Sequence, residues 1–473
     1  MKSPDKSLIT LNVSSSEPYY RQIYKRIKNA IVNGTLQPGD RIPSERALTK
    51  ELGLARGTVK SAYSLLSAEG YTQSMSQGGT VVASNLKLQK VANSTIRKNL
   101  SPLKSYRPDS ILPLQMGLPA LDAFPRKIWA RLAAKCSRSM QLSDMAHPSI
   151  YGLGSLRNEV AAYLQVSRGI NCDPSQVFIT TGYRNSLELI TQAFLKAGDQ
   201  VLIEDPGYPP TRDLLNKLLI DTIPVRVDAE GIVVEEGLEL APRAQATVIT
   251  PGHQSPLGVT LSLSRRLELI DWATQNNTWI IEDDYDSEYR YVSRPLPALK
   301  SLDHSDRVIY SGTFSKVLFP GLRLAYVVIP EPQVGNFENI MQTFAGGSPQ
   351  LTQEIVAAFM KEGYFARHIQ RMRKLYAERR QTTVKGLERS LGEFMRIDSQ
   401  PGGMHLILRF PNQKSDTQLA KLMRESGLFA EALSNWTSNR SEIPTLLINF
   451  TNVETEEAAA GYGKIILDIL KLN

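Results

Sequence analysis

The sequence predicts an α/β protein of at least two domains, a small α+β unit followed by a larger domain with a mostly parallel sheet. The chain has 473 residues, whereas a single hydrophobic core rarely grows beyond about 250–300 residues. From about residue 113 onward, short apolar segments alternate with helical patterns, which is typical of a parallel sheet. The composition, 42% hydrophobic and 22% charged, excludes a largely disordered or collagen-like chain.

The positive charge is concentrated in the first quarter of the chain. Residues 1–112 hold 17 Lys and Arg against 7 Asp and Glu, whereas the remaining residues hold 38 against 40. A basic segment on a near-neutral body is typical of a nucleic-acid-binding module, but basic faces are also often merely solvated. The charge alone leaves both interpretations open.

Several classes of protein are excluded by simple features. No run of about 18 apolar residues occurs, which excludes a transmembrane helix, and the N-terminus lacks the apolar stretch of a signal peptide. Two cysteines, Cys136 and Cys172, indicate a reducing compartment rather than a disulfide scaffold. The histidines and cysteines show no clustered spacing, so no metal site is predicted. We expect a cytoplasmic protein that binds no membrane.

Three helices are predicted in the first domain, residues 15–83. Apolar residues recur at helical spacing between Tyr20 and Ile31. Ser44 suits the N-cap of a second helix, which Gly53 ends before the third helix begins. Two helices joined by a short glycine turn are typical of a helix-turn-helix, whose second helix enters the major groove of DNA.

A hairpin and a linker are predicted next. Gly78 and Gly79 separate two short strand-like segments, a hairpin signal that would place a wing along the DNA backbone. Residues 84–112 carry six basic residues, one acidic residue and no sustained periodicity, and are predicted to be a solvated linker. Residues 113–473 form the second predicted domain.

Two stretches of the first domain carry a specific resemblance. Residues 34–48 read GTLQPGDRIPSERAL and residues 56–70 read RGTVKSAYSLLSAEG. Both closely resemble the GntR-type winged helix, which implies binding to double-stranded DNA. Arginine suits guanine, and lysine and threonine suit phosphates or bases. The candidate DNA contacts are Arg41, Ser44, Arg46, Arg56, Thr58, Lys60 and Gly78.

Polar residues follow three predicted strands of the second domain. Tyr183 begins a helix just after one strand, Asp283 ends the next, and Lys316 and Arg323 follow the third. In an open α/β sheet, ligands bind beyond the carboxyl ends of the strands. Each residue alone is more often a turn or surface residue, but the combination suits a phosphorylated, cationic aromatic cofactor.

Pyridoxal 5′-phosphate (PLP) meets each of these requirements. Its aldehyde forms a Schiff base with a lysine amine, and its protonated ring nitrogen needs a carboxylate. Its phosphate suits hydroxyl groups, an arginine and the free amides of a helix start.

The segments SGTFSKVLFPGLRLAYVV, DPGYP and IEDDYD are similar to those of fold-type I aminotransferases, and this resemblance extends from about Pro113 to the C-terminus. A GntR winged helix followed by such a domain resembles the MocR/GabR family of bacterial transcription regulators. The resemblance implies a smaller α+β part at the C-terminus and a homodimer, because fold-type I domains build their cofactor sites at a dimer interface.

The same resemblance assigns roles to residues. Lys316 would be the catalytic lysine that forms the Schiff base, Asp283 would pair with the pyridine nitrogen, and Tyr285 would bond the phenolic oxygen. Tyr208 would stack on the ring. The phosphate would be held by Gly182, Tyr183, Thr313, Ser315 and Arg323.

Two departures from the aminotransferase pattern stand out. Ser255 replaces the asparagine that bonds the phenolic oxygen in many aminotransferases. Leu447 replaces the arginine that binds the substrate α-carboxylate through a bidentate pair. Either the effector is not an amino acid held in this way, or Arg409 or Arg184 supplies the charge. His253, in the same segment as Ser255, is assigned no role.

The leading hypothesis is a PLP-dependent, DNA-binding transcription regulator that senses PLP itself or an amine or amino-acid effector. One alternative is an active PLP-dependent aminotransferase that carries a DNA-binding module. Another is a DNA-binding module on a scaffold without cofactor. The sequence leaves the effector, the operator and the direction of regulation open.

Overall fold

The computed structural model describes residues 11–12, 15–75, 79–84, 86, 111–291, 297–398, 400, 402–411, 413, 415–438 and 443–472. The chain divides into two compact units, Met1–Pro108 and Asp109–Asn473. The predicted boundaries at residues 15–83, 84–112 and 113–473 stay a prediction. Gly78 and most of the predicted linker lie outside the described residues.

Three helices and a two-stranded hairpin build the first unit. They are α1 (Tyr19–Val32), α2 (Glu45–Leu52), α3 (Arg56–Ala68), β1 (Thr72–Met75) and β2 (Gly79–Val82). The Ser44 hydroxyl caps α2 by accepting a hydrogen bond of 3.2 Å from the amide of Ala47. Gly53 ends α2 with a φ of 63°, a left-handed conformation that favours glycine. Buried side chains such as Ile23, Val59 and Leu66 form the core between the helices.

An eight-stranded sheet forms the centre of the second unit. Its strands are β3 (Val177–Thr180), β4 (Gln200–Asp205), β5 (Asp221–Asp228), β6 (Gly231–Ile232), β7 (Ala246–Ile249), β8 (Trp279–Asp284), β9 (Val308–Thr313) and β10 (Ala325–Val328). Their order is β3-β10-β9-β8-β7-β4-β5-β6. The run from β9 to β5 is parallel, and β10 lies antiparallel to both its neighbours. The predicted mostly parallel sheet is confirmed.

Nine helices accompany this sheet along the chain. They are α4 (Arg126–Ser139), α5 (Gly154–Arg168), α6 (Tyr183–Phe194), α7 (Pro209–Lys217), α8 (Val234–Leu240), α9 (Leu263–Asn276), α10 (Val334–Phe344), α11 (Gln350–Lys361) and α12 (Tyr364–Leu391) among the described residues. Strands β3 and β7 are buried along their whole length, as expected where helices cover both faces of a parallel sheet.

A smaller α+β part closes the chain, as predicted. Its strands β11 (Arg396–Ile397), β12 (His405–Arg409), β13 (Glu431–Ala432) and β14 (Thr445–Asn449) form an antiparallel sheet in the order β11-β12-β14-β13. Helices α13 (Asp416–Glu425) and α14 (Glu456–Leu472) follow β12 and β14 along the chain. Among the residues that the structure describes, no helix has the length and apolar character needed to cross a membrane.

The contact between α12 and α14 depends on a glycine. A Cβ at Gly386 of α12 would lie 2.5 Å from the carbonyl oxygen of Glu456 and 2.6 Å from the Cβ of Ala459. We expect Gly386→Ala to lower the free energy of unfolding by about 1–3 kcal/mol, because the backbones must separate. Urea unfolding measures the change.

The control for this variant is Gly461→Ala on α14, where an added Cβ meets nothing within 4 Å. It should raise the free energy of unfolding by about 0.5–1 kcal/mol, since alanine favours a helix over glycine. Equal effects of the two substitutions would contradict the close approach of the helices.

Candidate functional site

A cavity of about 640 Å³ lies in the second unit, at the carboxyl ends of the parallel strands. Nine of the ten residues predicted to hold the cofactor line it. They are Tyr183, Tyr208, Ser255, Asp283, Tyr285, Thr313, Ser315, Lys316 and Arg323. The tenth, Gly182, immediately precedes α6.

The side chain of Lys316 extends into this cavity from the loop after β9. Its Nζ donates a hydrogen bond of 3.0 Å to the carbonyl oxygen of Gly117. Gly117 has a φ of +80°, a left-handed conformation that favours glycine, and a Cβ there would lie 2.7 Å from Nζ. Burial lowers the pKa of Lys316, while the charges of Asp286 and Asp283 raise it. A lowered pKa leaves more of the amine unprotonated and nucleophilic.

Asp283 presents a buried carboxyl group near the end of β8. Its side chain is 7% exposed, and burial, followed by the charges of Asp284 and Glu204, raises its pKa well above the usual range. A cationic partner in the cavity would restore the charged form. The geometry therefore suits a protonated ring nitrogen.

Glu204 is a second buried carboxyl group, near the end of β4. Burial raises its pKa to about 7, and the hydroxyl of Thr250 donates a hydrogen bond of 2.6 Å to its Oε2. It lies with Asp283, Tyr183 and Tyr208 around a small pocket. Glu204 was not among the residues predicted from the sequence.

Tyr285 is hydrogen-bonded to His253, for which the sequence predicted no role. Its hydroxyl lies 3.0 Å from Nδ1 of His253, which is also 2.9 Å from Oδ1 of Asp286. Burial raises the pKa of Tyr285 well above the usual range, and the hydroxyl of Ser255 opposes this shift. The phenol of Tyr285 is thus held neutral, beside the serine that replaces an asparagine.

One end of the cavity is suited to an anion. Gly182 adopts a φ of +123° before α6, and a Cβ there would lie 3.1 Å from Nη2 of Arg323. The Thr313 hydroxyl accepts a hydrogen bond of 3.1 Å from the amide of Ser315. Within the described part of the chain, Arg323 has no ion-pair partner. An arginine beside a helix start is a site that a phosphate group favours.

Tyr208 stands at the rim of the cavity, with 39% of its surface exposed. Its ring centroid lies 5.9 Å from that of Tyr183 and 5.6 Å from that of Trp436. Both neighbouring rings are tilted relative to the Tyr208 ring, so neither of them stacks flat on it. The position is compatible with stacking on a planar ligand.

The position of the expected carboxylate-binding arginine is apolar. Leu447 is fully buried on β14, in a cluster with Ile407, Leu433 and Trp436. Of the two alternative cations, Arg409 is bound to Asp398 through an ion pair of 2.8 Å, and it is absent from the cavity lining. Arg184 lines the cavity, so it is the candidate that remains.

The predicted DNA contacts lie on the first unit. Arg41, Arg46, Arg56 and Lys60 are exposed, and Thr58 is half-buried near the start of α3. None of the four cations forms an ion pair with another described residue. Ser44 is exposed but engaged as the cap of α2. These cations are therefore available for phosphates or bases, while Gly78 lies outside the described residues.

The two units match different protein families. Residues 119–459 match Aminotransferase class I and II, and residues 19–82 match Bacterial regulatory proteins, gntR family. The chain is 34% identical over 471 residues to the probable rhizopine catabolism regulatory protein MocR of Rhizobium meliloti. The matched region covers 97% of this chain and 95% of that protein. The chain belongs to the MocR/GabR family.

Further relatives agree with this membership. The HTH-type pyridoxine biosynthesis transcriptional regulator PdxR of Corynebacterium glutamicum is 33% identical over 443 residues, 90% of this chain and 91% of that protein. Kynurenine aminotransferase of Pyrococcus horikoshii, solved with PMP, is 27% identical with a TM-score of 0.69 over 76% of this chain and 91% of that one.

A second solved structure gives the same result. LysN, the α-aminoadipate aminotransferase of Thermus thermophilus, was solved with N-(5'-phosphopyridoxyl)-L-leucine. It is 27% identical, with a TM-score of 0.69 over 77% of this chain and 94% of that one. The predicted aminotransferase-like fold of this MocR/GabR protein is confirmed.

Several cavity residues of this MocR/GabR member were missed by sequence reasoning. Gly117 and Trp436 come from segments far along the chain from Lys316, and His405 lies on the small sheet, so only the fold brings them to the site. Asp286 had a local signal, because it directly follows Tyr285 in the segment IEDDYD.

The raised pKa of Glu204 makes stability depend on pH. The pKa rises from 4.5 to about 7 on folding. Below pH 4.5 the carboxyl group is protonated in both the folded and the unfolded protein and does not lower the free energy of unfolding. Above pH 7 it must be buried as a carboxylate, which lowers the free energy of unfolding. We expect the parent to lose stability relative to Glu204→Gln as the pH rises through this window, by about 3 kcal/mol in total. Urea unfolding at about pH 5 and about pH 8 measures the difference.

The control substitution is Glu239→Gln at an exposed position. It should shift the urea midpoint by the same amount at both pH values. A pH-independent difference between the parent and Glu204→Gln would show that the buried carboxyl group titrates normally.

Proposed function

We propose that this protein is a DNA-binding transcription regulator whose second unit binds PLP and responds to an effector there. The observation that carries the proposal is a single cavity in which Lys316, Asp283 and Arg323 meet, in a chain that also contains a gntR-family segment. The relatives named as a regulatory protein and as a transcriptional regulator match 97% and 90% of the chain. The aminotransferase neighbours were solved with PMP or a phosphopyridoxyl compound.

The cavity offers a suitable residue for each functional group of PLP. Lys316 offers a buried amine with a lowered pKa, and Asp283 offers the carboxyl group for the ring nitrogen. Arg323, the hydroxyl-bearing loop and the start of α6 form the end that suits the phosphate. When bound, PLP supplies an aldehyde that reacts with primary amines.

The remaining polar groups would orient the cofactor. The Tyr285 phenol, held neutral by burial, can donate a hydrogen bond to the phenolic oxygen of PLP, with Ser255 beside it. Tyr208 would cover one face of the ring. We further propose a homodimer, which supplies the two DNA-binding units that a two-fold operator requires.

An effector regulates only if it binds one DNA-binding state better than the other. The two relatives are named for rhizopine catabolism and for pyridoxine biosynthesis, so they point to different effectors. The buried Leu447 and the engaged Arg409 disfavour an α-amino acid gripped by its carboxylate. We therefore propose that the effector is PLP itself or an amine without an α-carboxylate.

Lys316→Ala tests the cofactor. The purified parent should show a visible absorption band after incubation with PLP, and the variant should lack or shift it, because the attaching amine is gone. Lys361→Ala, at an exposed position at the end of α11, should keep the band. A parent that stays colourless with added PLP would sink the proposal for the second unit.

The same samples separate a regulator from an active aminotransferase. DNA affinity is measured without ligand, with PLP, with a primary amine and with an α-amino acid, and turnover is measured with an amino donor and a keto acid. The proposal expects affinity to change with PLP or the amine. Sustained turnover with no effect of any ligand on DNA binding would favour the enzyme.

Arg56→Ala tests the DNA surface. Because Arg56 is exposed at the start of α3 and unpaired among the described residues, its loss should weaken binding to a random-sequence duplex severalfold and lower the salt slope by about one. Fluorescence anisotropy over a salt series measures both. Arg26→Ala, which removes the same charge from an exposed position on α1, is the matched control. Equal losses would indicate attraction by net charge alone.

A further inference from the structure

Strand β13 and the residues before it present a carboxylate to the cavity. Phe429 and Glu431 line the cavity, whereas Ala430 and Ala432 are fully buried in the core of the smaller α+β part. Side chains of an extended chain alternate between its two faces, so Phe429 and Glu431 share the face that borders the cavity. The proposed contacts with the cofactor leave Glu431 unused.

Glu431 lies beside the position predicted for the arginine that grips a carboxylate. It is the cross-strand partner of Leu447, which in turn pairs with Ile407. Residues directly opposite each other on neighbouring strands place their side chains on one face, with Cβ atoms about 4.5–5.5 Å apart. Leu447 and Ile407 belong to an apolar cluster, so the charge in this row of three is negative, opposite in sign to an arginine.

The chain itself places a cation on this carboxylate. Nη2 of Arg424 lies 2.7 Å from Oε1 of Glu431 and donates a hydrogen bond of 3.2 Å to the carbonyl oxygen of Ala430. The guanidinium group also lies over the ring of Phe429, 4.7 Å from its centroid. Arg424 is absent from the cavity lining, so it reaches Glu431 from a side away from the cavity.

The arginine engages one of the two carboxylate oxygens. No described residue donates a hydrogen bond to Oε2 of Glu431, whose side chain is 26% exposed. Burial raises the pKa of Glu431 and Arg424 opposes this shift, so each cation that reaches the group favours its charged form. The second oxygen is available to a cationic donor that enters the cavity.

The neighbouring part of the cavity lining is apolar. Met116, Met404 and Trp436 line the cavity together with Phe429. Apolar side chains with a single carboxylate suit a ligand that has a hydrocarbon body and a cationic end. A ligand carboxylate would instead be repelled by Glu431.

We propose that Glu431 binds the cationic end of the effector and that the effector is a diamine. This inference rests on the proposed function: one amine bonds to the aldehyde carbon of PLP, and the other, as an ammonium, donates to Oε2 of Glu431. The attacking nitrogen replaces Nζ of Lys316 on that carbon. The two hydrogens that it loses are taken up by Nζ, so the exchange needs no oxidant or further reactant.

The test is a titration of the PLP-loaded, full-length protein with primary amines, followed by the change in its visible band. Diamines with chains of three to six carbons are each compared with the monoamine of the same length, so that the apolar contacts match. We expect the best-fitting diamine to half-saturate the protein at a concentration about tenfold below that of its monoamine. Two equivalent amines alone give a twofold difference by statistics.

Three variants assign this preference to Glu431. Glu431→Gln keeps the shape of the side chain but removes its charge, and should reduce the preference to about twofold. Glu425→Gln, which removes the same charge from an exposed position on α13, should keep it. Arg424→Gln removes the cation that now occupies Glu431, so the preference should rise above that of the parent. The last variant keeps the proposal testable if Glu431→Gln fails to fold.

Half-saturation within twofold for every diamine and its monoamine would overturn the inference. A fall of the preference in Arg424→Gln as large as in Glu431→Gln would also overturn it, because Glu431 would then only hold the arginine in place. In both cases the parent keeps its visible band with PLP. Failure of the proposed function is the absence of that band, so the two failures are distinct.

Discussion

The burial of acidic groups at the carboxyl edge of the parallel sheet is the constraint on which the site depends. Glu204 on β4 and Asp283 on β8 both have pKa values raised mainly by burial. Two neighbouring carboxyl groups in a water-poor pocket disfavour each other's ionisation. A positively charged ring would relieve this cost, so the two buried acids and a cationic ligand are complementary.

The same burial acts in the opposite direction on the amine. Lys316 loses hydration in the cavity and its pKa falls, which is what a nucleophilic lysine requires. The charges of Asp286 and Asp283 limit this fall. The reactivity of Lys316 is therefore a balance between desolvation and two carboxylates, and a change at either carboxylate alters the amine without touching it.

Sequence patterns predicted the parts of the fold that local signals encode. The buried strands β3 and β7 are continuous apolar segments, and the polar residues after β8 and β9 lie next to them in the chain, so both were predictable. Strand β5 was not predictable in this way, because Pro224 and Arg226 interrupt its apolar pattern. Pro224 is tolerated although it removes a backbone donor.

As with the fold, the residues of the candidate site were predictable where a local segment of the sequence marks them. Residues in recognisable segments, such as Tyr208, Asp283 and Lys316, lie together in the cavity. Gly117 was not predictable, because its contact with Lys316 joins positions 199 residues apart. The pairing of His253 with Asp286 likewise spans 33 residues and depends on the close approach of Gly403, which no local pattern encodes.

The apolar cluster at position 447 bears on the kind of effector that the proposed function requires. An arginine at position 447 would need a carboxylate from the ligand, because a buried guanidinium without a partner is strongly unfavourable. Leu447 removes that requirement and packs with Trp436, which itself lines the cavity. The remaining Arg184 stands at the start of α6, next to the end that suits a phosphate. A ligand that used Arg184 for a carboxylate would place a second anion there, whereas a ligand with an amine and an apolar body meets no such conflict.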